Sequence, residues 1–170
     1  MALLDEQIVE EWLNSQNFFT VRGIKYGNNE IDLLACRFKN KKVECWHVEV
    51  QVSYSPVSYI TKSVRTKDKT AGTRTLGELK ADVRAWIQTK FKNKKVQDIR
   101  FLLAPKVDWT YKLVHAKVKH PKELKLIESS GIELIPYEHV VSELIKNTDH
   151  KSSSSALDMI TLLRYMKDKD

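Results

Sequence analysis

The sequence predicts a mixed α/β fold, a central sheet flanked by helices, on three observations. Residues 30–38 and 43–52 are two strand-like runs on either side of Lys39-Asn40-Lys41-Lys42, the pattern of a β-hairpin. Apolar residues recur at helical spacing near the N-terminus, after Thr75 and again after Pro136. The later strand candidates are separated by helices rather than by tight turns. The first strands are therefore expected to be antiparallel and the later ones joined through crossovers.

Each element has its own signal. Residues 3–16 read as a helix, with Leu4, Ile8 and Trp12 at spacing four and Val9 and Leu13 beside them. Residues 18–24 read as a first strand, followed by the turn signal Tyr26-Gly-Asn-Asn29. The polar stretch 53–74 contains Pro56 and Gly72 and reads as a long loop, a kind that usually carries function or disorder. Thr75-Leu-Gly-Glu78 is a capping box, and Leu76, Leu79, Val83, Ile87 and Phe91 follow at helical spacing. Residues 98–104 read as a strand ended by Pro105. Residues 121–130 read as a short helix with Pro121 in its first turn and Gly131 as its stop. A strand over 132–135 and a helix over 137–146 complete the order. Residues 147–155 have linker composition, and the apolar stretch 156–166 reads as a helix. The organisation expected is one domain over 1–146, a linker over 147–155 and a C-terminal helix within 156–170. That helix is a candidate surface for a second copy or another protein.

Composition narrows the partners. At 170 residues, 42% hydrophobic and 30% charged, the chain is long enough for one ordinary globular core. No apolar run approaches the roughly 20 residues of a membrane-spanning helix. The N-terminus lacks the basic start and apolar stretch of a secretory signal, so a cytoplasmic location is expected. Two cysteines, Cys36 and Cys45, make neither a disulfide framework nor a zinc cluster, and both are expected to be reduced, half-buried strand residues. The net charge is +7, yet residues 62–95 alone hold 11 Lys and Arg against three acids. The rest of the chain is therefore close to balanced. Such a concentrated basic segment suits a polyanion, because each neutralised phosphate releases counterions. Lys62, Arg65, Lys67, Lys69 and Arg74 are its candidate DNA contacts; the alternative is a solvated surface.

The hairpin carries the chemistry. If its turn centres on Asn40-Lys41, Asp32 faces Glu49, Glu30 faces Gln51, Leu34 faces His47 and Cys36 faces Cys45, all on one side of the sheet. A three-residue loop would instead shift the register by one and separate the acids. Opposed carboxylates repel, and a cation relieves them; oxygen ligands of this kind suit Mg²⁺ or Mn²⁺. His47 shares this face; a role at the metal is open to it, and packing near Leu34 is the expected one. Trp12, Trp46 and Trp86 read as core, Trp109 and Tyr111 as half-buried aromatics or base-stacking candidates, and His115 and His120 as surface. There is no phosphate-cradling Gly-rich loop and no nucleophile elbow.

Asn29-Glu30-Ile-Asp32-Leu-Leu-Ala35 followed by His47-Val-Glu49-Val-Gln51 resembles the core of the PD-(D/E)XK nuclease superfamily. The resemblance extends especially to Holliday-junction resolvases and to small resolvase-like proteins with a G-E-I-D-L-I-A…V-F-V-E-V-K pattern. It implies a restriction-endonuclease-like αβββαβ core and metal-assisted hydrolysis of DNA. Asp32 and Glu49 would hold the metal. The N-terminal helix would supply Glu6, with Glu10 and Glu11 as alternatives on the same helix. Gln51 stands where the family usually has lysine; an amide positions water but supplies no positive charge. Lys62, downstream, is a candidate for the missing cation. The expected function is thus that of a Mg²⁺- or Mn²⁺-dependent DNA endonuclease. Its rival is a non-catalytic nucleic-acid-binding or assembly subunit that retains the fold.

Overall fold

The computed structural model describes residues 2–53, 55–63, 73–146 and 155–167. Five strands form one open sheet in the order β1-β2-β3-β4-β5. They are β1 (Phe19–Tyr26), β2 (Asn29–Lys39), β3 (Lys42–Gln51), β4 (Trp109–His115) and β5 (Ile132–Pro136). The first three run antiparallel; β3, β4 and β5 run parallel. Three helices, α1 (Ala2–Ser15), α5 (Tyr137–Lys146) and α6 (Ser155–Lys167), cover one face. The other face carries α2 (Leu76–Lys90), α3 (Lys94–Leu103) and α4 (Pro121–Ser129). The result is the expected mixed α/β sheet flanked by helices. Among the described residues, no helix is long and apolar enough to cross a membrane.

Strand alternation decides what meets each helix layer. Leu33, Ala35, Trp46, Val48, Val50 and Val114 pack against Ile8, Val9, Trp12, Leu13, Val140 and Leu144. On the opposite face Leu113 and Ile132 meet Val83, Ile87, Phe91 and Ile127, while Leu34 and Ile31 meet Val96 of α3. The hairpin turn has Asn40 and Lys41 both at positive φ, 51° and 63°, the two-residue geometry that follows strand twist. It sets the predicted register, with Leu34 opposite His47 and Cys36 opposite Cys45.

Three expectations are corrected. Residues 98–103 belong to helix α3 rather than to a strand, and Ala104 is its C-cap. Asn93 caps this helix by accepting from the Lys95 amide, and the helix buries Val96 and Arg100. The apolar run that suggested a strand is left outside, with Phe101 61% and Leu102 81% exposed. The strand that pairs with β3 on its other side is Trp109–His115, and it holds Trp109 and Tyr111, both half-buried as expected. Cys36 and Cys45 are joined by a disulfide rather than reduced, because the register brings their Cα atoms to 4.2 Å and Cys45 is fully buried. The C-terminal helix is not set apart from the domain: Ala156 and Ile160 of α6 are completely buried in the core shared with α1 and α5. Of the expected linker, residues 147–154 lie outside the described residues, and Ser155 begins α6.

Candidate active site

The central strand places a carboxylate where a sheet normally holds an apolar residue. Glu49, on the middle strand beneath α2, has no exposed surface, and its parallel neighbour on β4 is Leu113. Asp32 lies across from it, 9% exposed, just beyond the last paired residues, Leu33 and Val48. The Val50 amide does not continue the backbone ladder toward β2; it donates to Asp32 Oδ2 at 2.8 Å. The Asp32 side chain thereby ends the antiparallel pairing and fixes one of its own oxygens.

Helix α1 brings a third acid. Glu6 is partly buried, and its carboxyl is lifted to about 7 by burial first, then by the negative charges of Asp32 and Glu30. Glu10, one turn on, is committed to Arg22 Nε and Thr20 Oγ1 at 3.0 Å each, whereas Glu6 feels the charges of Asp32, Glu30 and Glu49. Burial, with the neighbouring Glu49 charge next, lifts Asp32 to about 7. Burial also lifts Glu49 to about 7, against the lowering effect of Lys90. Three carboxyl groups therefore titrate near neutrality, the mark of a pocket short of positive charge.

Part of that charge comes from a residue the sequence reading counted only within the basic segment. Lys90, the last residue of α2, has Nζ 2.5 Å from Glu49 Oε2 and 3.8 Å from Asp32 Oδ1, and it donates to the Glu30 carbonyl at 3.1 Å. Burial alone would lower its pKa; the Glu49 and Asp32 charges outweigh burial and raise it. The helix C-terminus adds to the preference for a cation there. Phe91, which caps α2 and is fully buried, anchors this end, as does Tyr26 Oη, which donates to the Thr89 carbonyl. The sequence signal lay in helical phase: Lys90 stands between Ile87 and Phe91, on the side of α2 that meets the sheet.

A cleft of about 490 Å³ opens beside these groups, lined among others by Glu30, Gln51, Lys62, Trp86 and Lys90. Gln51 is partly buried there, where the register puts it. Lys62 is exposed at the same cleft, whereas Lys90 is the ammonium that reaches the carboxylates. Behind Glu49, His47 is fully buried with Nε2 3.1 Å from Glu49 Oε1 and Nδ1 3.1 Å from Arg100 Nη1. Burial, then the Arg100 and Lys90 charges, hold His47 well below its ordinary pKa, so the ring is neutral. His47 thus packs opposite Leu34 as expected and is in addition a hydrogen-bonding partner of Glu49.

The expected DNA contacts divide. Arg65, Lys67 and Lys69 lie outside the described residues. Arg74 is a structural residue rather than a free contact. Its Nη1 donates to Asp82 Oδ2 at 2.9 Å and to the Thr61 carbonyl, and its guanidinium lies over the Tyr59 ring. The same loop is held from below by the buried Glu123, which accepts from the Ile60 and Thr61 amides and from Thr61 Oγ1. These anchors fix the backbone from which Lys62 projects. His120, expected at the surface, stacks on Tyr59.

The pocket has the donor chemistry of a hard-cation site. Asp32 and Glu49 offer carboxylate oxygens only, and Glu49 Oε2 makes no hydrogen bond of good geometry among the described residues. Among those residues no group of three or more His, Cys, Asp or Glu side chains is gathered closely enough to ligate an ion together. Mg²⁺ is commonly held by one or two carboxylates with waters completing the octahedron, and Asp32 and Glu49 are the residues that could hold such an ion.

No family model and no curated protein matches the chain. One similar solved structure is the crystal structure of a protein of unknown function, AF1548, at 17% identity with a TM-score of 0.47. That similarity covers 96% of this chain and 79% of the other.

Proposed function

We propose that this protein is a metal-dependent DNA endonuclease with a PD-(D/E)XK-type site in which Lys90 of α2 replaces the lysine usually found at position 51. The observation that carries this reading is the Lys90 ammonium against both Asp32 and Glu49. A subunit kept only for binding gains nothing from a lysine set against two buried carboxylates with a third acid, Glu6 of α1, in their field; each buried charge disfavours folding. Asp32 and Glu49 would hold Mg²⁺ or Mn²⁺. The ion, when bound, supplies Lewis-acid polarisation of a phosphate oxygen and a lowered pKa for a coordinated water.

The chain's own groups divide the remaining work. Asp32 is fixed through Oδ2 by the Val50 amide, and its other oxygen would be the one offered to the cation. Lys90 neutralises the negative charge that develops on the phosphate, a task Gln51 is unable to perform. Gln51, at the cleft, orients the attacking water by hydrogen bonding. Glu6 of α1 would support the ion's water shell or a second ion. Lys62 and the basic stretch beyond it bind the backbone of the DNA.

The test is cleavage of supercoiled, linear and branched DNA in Mg²⁺ and in Mn²⁺ by the parent and Asp32→Ala. Cleavage by the parent that Asp32→Ala abolishes is the expected result. Binding of all three DNAs without cleavage of any would replace the enzyme by the non-catalytic binding subunit.

A further inference from the structure

Behind Glu49 runs a chain of buried polar groups to which the hydrolytic roles above give no part. Arg100 is 5% exposed, and it is held by Nη2 donating to the Phe91 carbonyl at 2.8 Å and by the Tyr111 ring under its guanidinium. Its Nη1 meets His47 Nδ1 at 3.1 Å. A guanidinium carries donors only, so Nδ1 must accept. The one proton of the neutral ring then sits on Nε2 and is donated to Glu49 Oε1, 3.1 Å away. The Phe91 ring, 4.6 Å from the imidazole centre, and the Tyr111 ring close the sides. Imidazole and carboxylate are both fully buried, so the Glu49 side chain has little freedom to rotate.

We infer that His47 is a positioning residue that holds Glu49 by Oε1, so that Oε2 alone meets the cation and the site selects a small octahedral ion over Ca²⁺. The inference rests on the metal reading above. The two ions ask for different things: Mg²⁺ takes six ligands at about 2.0–2.1 Å, whereas Ca²⁺ takes six to eight at about 2.3–2.6 Å and often both oxygens of one carboxylate. With Oε1 already accepting from His47, Glu49 supplies one oxygen. If that donor is removed, Glu49 is free to turn and offer both.

Calorimetric titration of the full chain with Mn²⁺ and with Ca²⁺ tests this on the parent, His47→Gln, His47→Asn and His47→Leu. Glutamine places an N–H near the position of Nε2, and asparagine falls short of it. The parent is expected to bind Mn²⁺ more tightly than Ca²⁺, and His47→Gln to keep that preference. His47→Asn and His47→Leu should lose about 10–100-fold in Mn²⁺ affinity, the usual effect of removing such a partner, with a smaller loss for Ca²⁺. Thermal melts establish that each variant is folded; if His47→Leu is not, the Gln and Asn variants carry the comparison. Equal losses for the two ions, or an unchanged ratio in folded His47→Asn, would reduce His47 to packing and overturn the inference while leaving the metal site intact. A parent that binds neither ion would overturn the metal reading and this inference with it.

Discussion

Replacing Asp32 by asparagine should make the metal-free protein more stable at neutral pH while it destroys the proposed site. The Asp32 carboxyl is carried from 3.8 to about 7, by burial first and by the Glu49 charge second. Between those values the folded chain binds more protons than the unfolded one, so stability falls as pH rises through the window and the full penalty is present above it. At about 1.4 kcal/mol per pH unit, that penalty is roughly 4 kcal/mol. Glu49 and Glu6 share the same field, so one substitution should recover about 2–4 kcal/mol at pH 8 and almost nothing at pH 3.5. Asparagine preserves the shape, and its oxygen can still accept from the Val50 amide. For a chain of this size, the gain corresponds to roughly 6–12 °C in Tm. Thermal melts of parent and Asp32→Asn in chelator, at pH 3.5 and pH 8, measure it directly. Added Mn²⁺ should then reverse the order, because only the parent gains binding energy. An Asp32→Asn protein no more stable than the parent at pH 8, or equally more stable at both pH values, would refute the electrostatic reasoning.

Other perturbations probe other parts of the account. Lys90→Ala should lower DNA cleavage by about 10²–10³-fold, and adding Gln51→Lys should restore part of it; parental rates in Lys90→Ala would leave Lys90 as a structural counter-ion. Charge reversal at Lys67 and Lys69 should flatten the salt dependence of DNA affinity. Arg74→Ala should instead leave that slope alone and destabilise the chain by about 1–3 kcal/mol, through loss of its bonds to Asp82 and to the Thr61 carbonyl. Reducing the Cys36–Cys45 disulfide should lower stability by about 2–3 kcal/mol, as closure of so short a loop implies; a melt unchanged by reductant would return the pair to free thiols.

The sequence reading succeeded where a single local rule decides the outcome. The two-residue turn at Asn40-Lys41 fixed the register, and the register put Asp32, His47, Glu49 and Gln51 on one face. The Thr75–Glu78 capping box, Pro121 and Gly131 marked helix ends that are found there. It failed where the outcome depends on what packs above. Residues 98–104 look apolar enough for a strand, but α3 turns Arg100 inward toward His47 and leaves Phe101 and Leu102 outside. That inversion also hid the Arg100–His47–Glu49 chain. Helical phase sets Lys90 beside Ile87 and Phe91 on the sheet side of α2, but a charge count along residues 62–95 ignores phase, so this lysine reads as one of a basic run. The disulfide was missed because compartment and framework arguments were applied to two residues whose spacing across the turn already made them neighbours.

A divalent cation binding between Asp32 and Glu49 is the central requirement of the proposed activity, and a crystal of the parent protein soaked in Mn²⁺ tests it most directly. Anomalous scattering should place one ion within ligating distance of an oxygen of each carboxylate, with the Lys90 ammonium moved off Glu49 Oε2 to make room. An occupied lattice with no anomalous peak at this position, and Lys90 still paired with Glu49 at millimolar Mn²⁺, would contradict it.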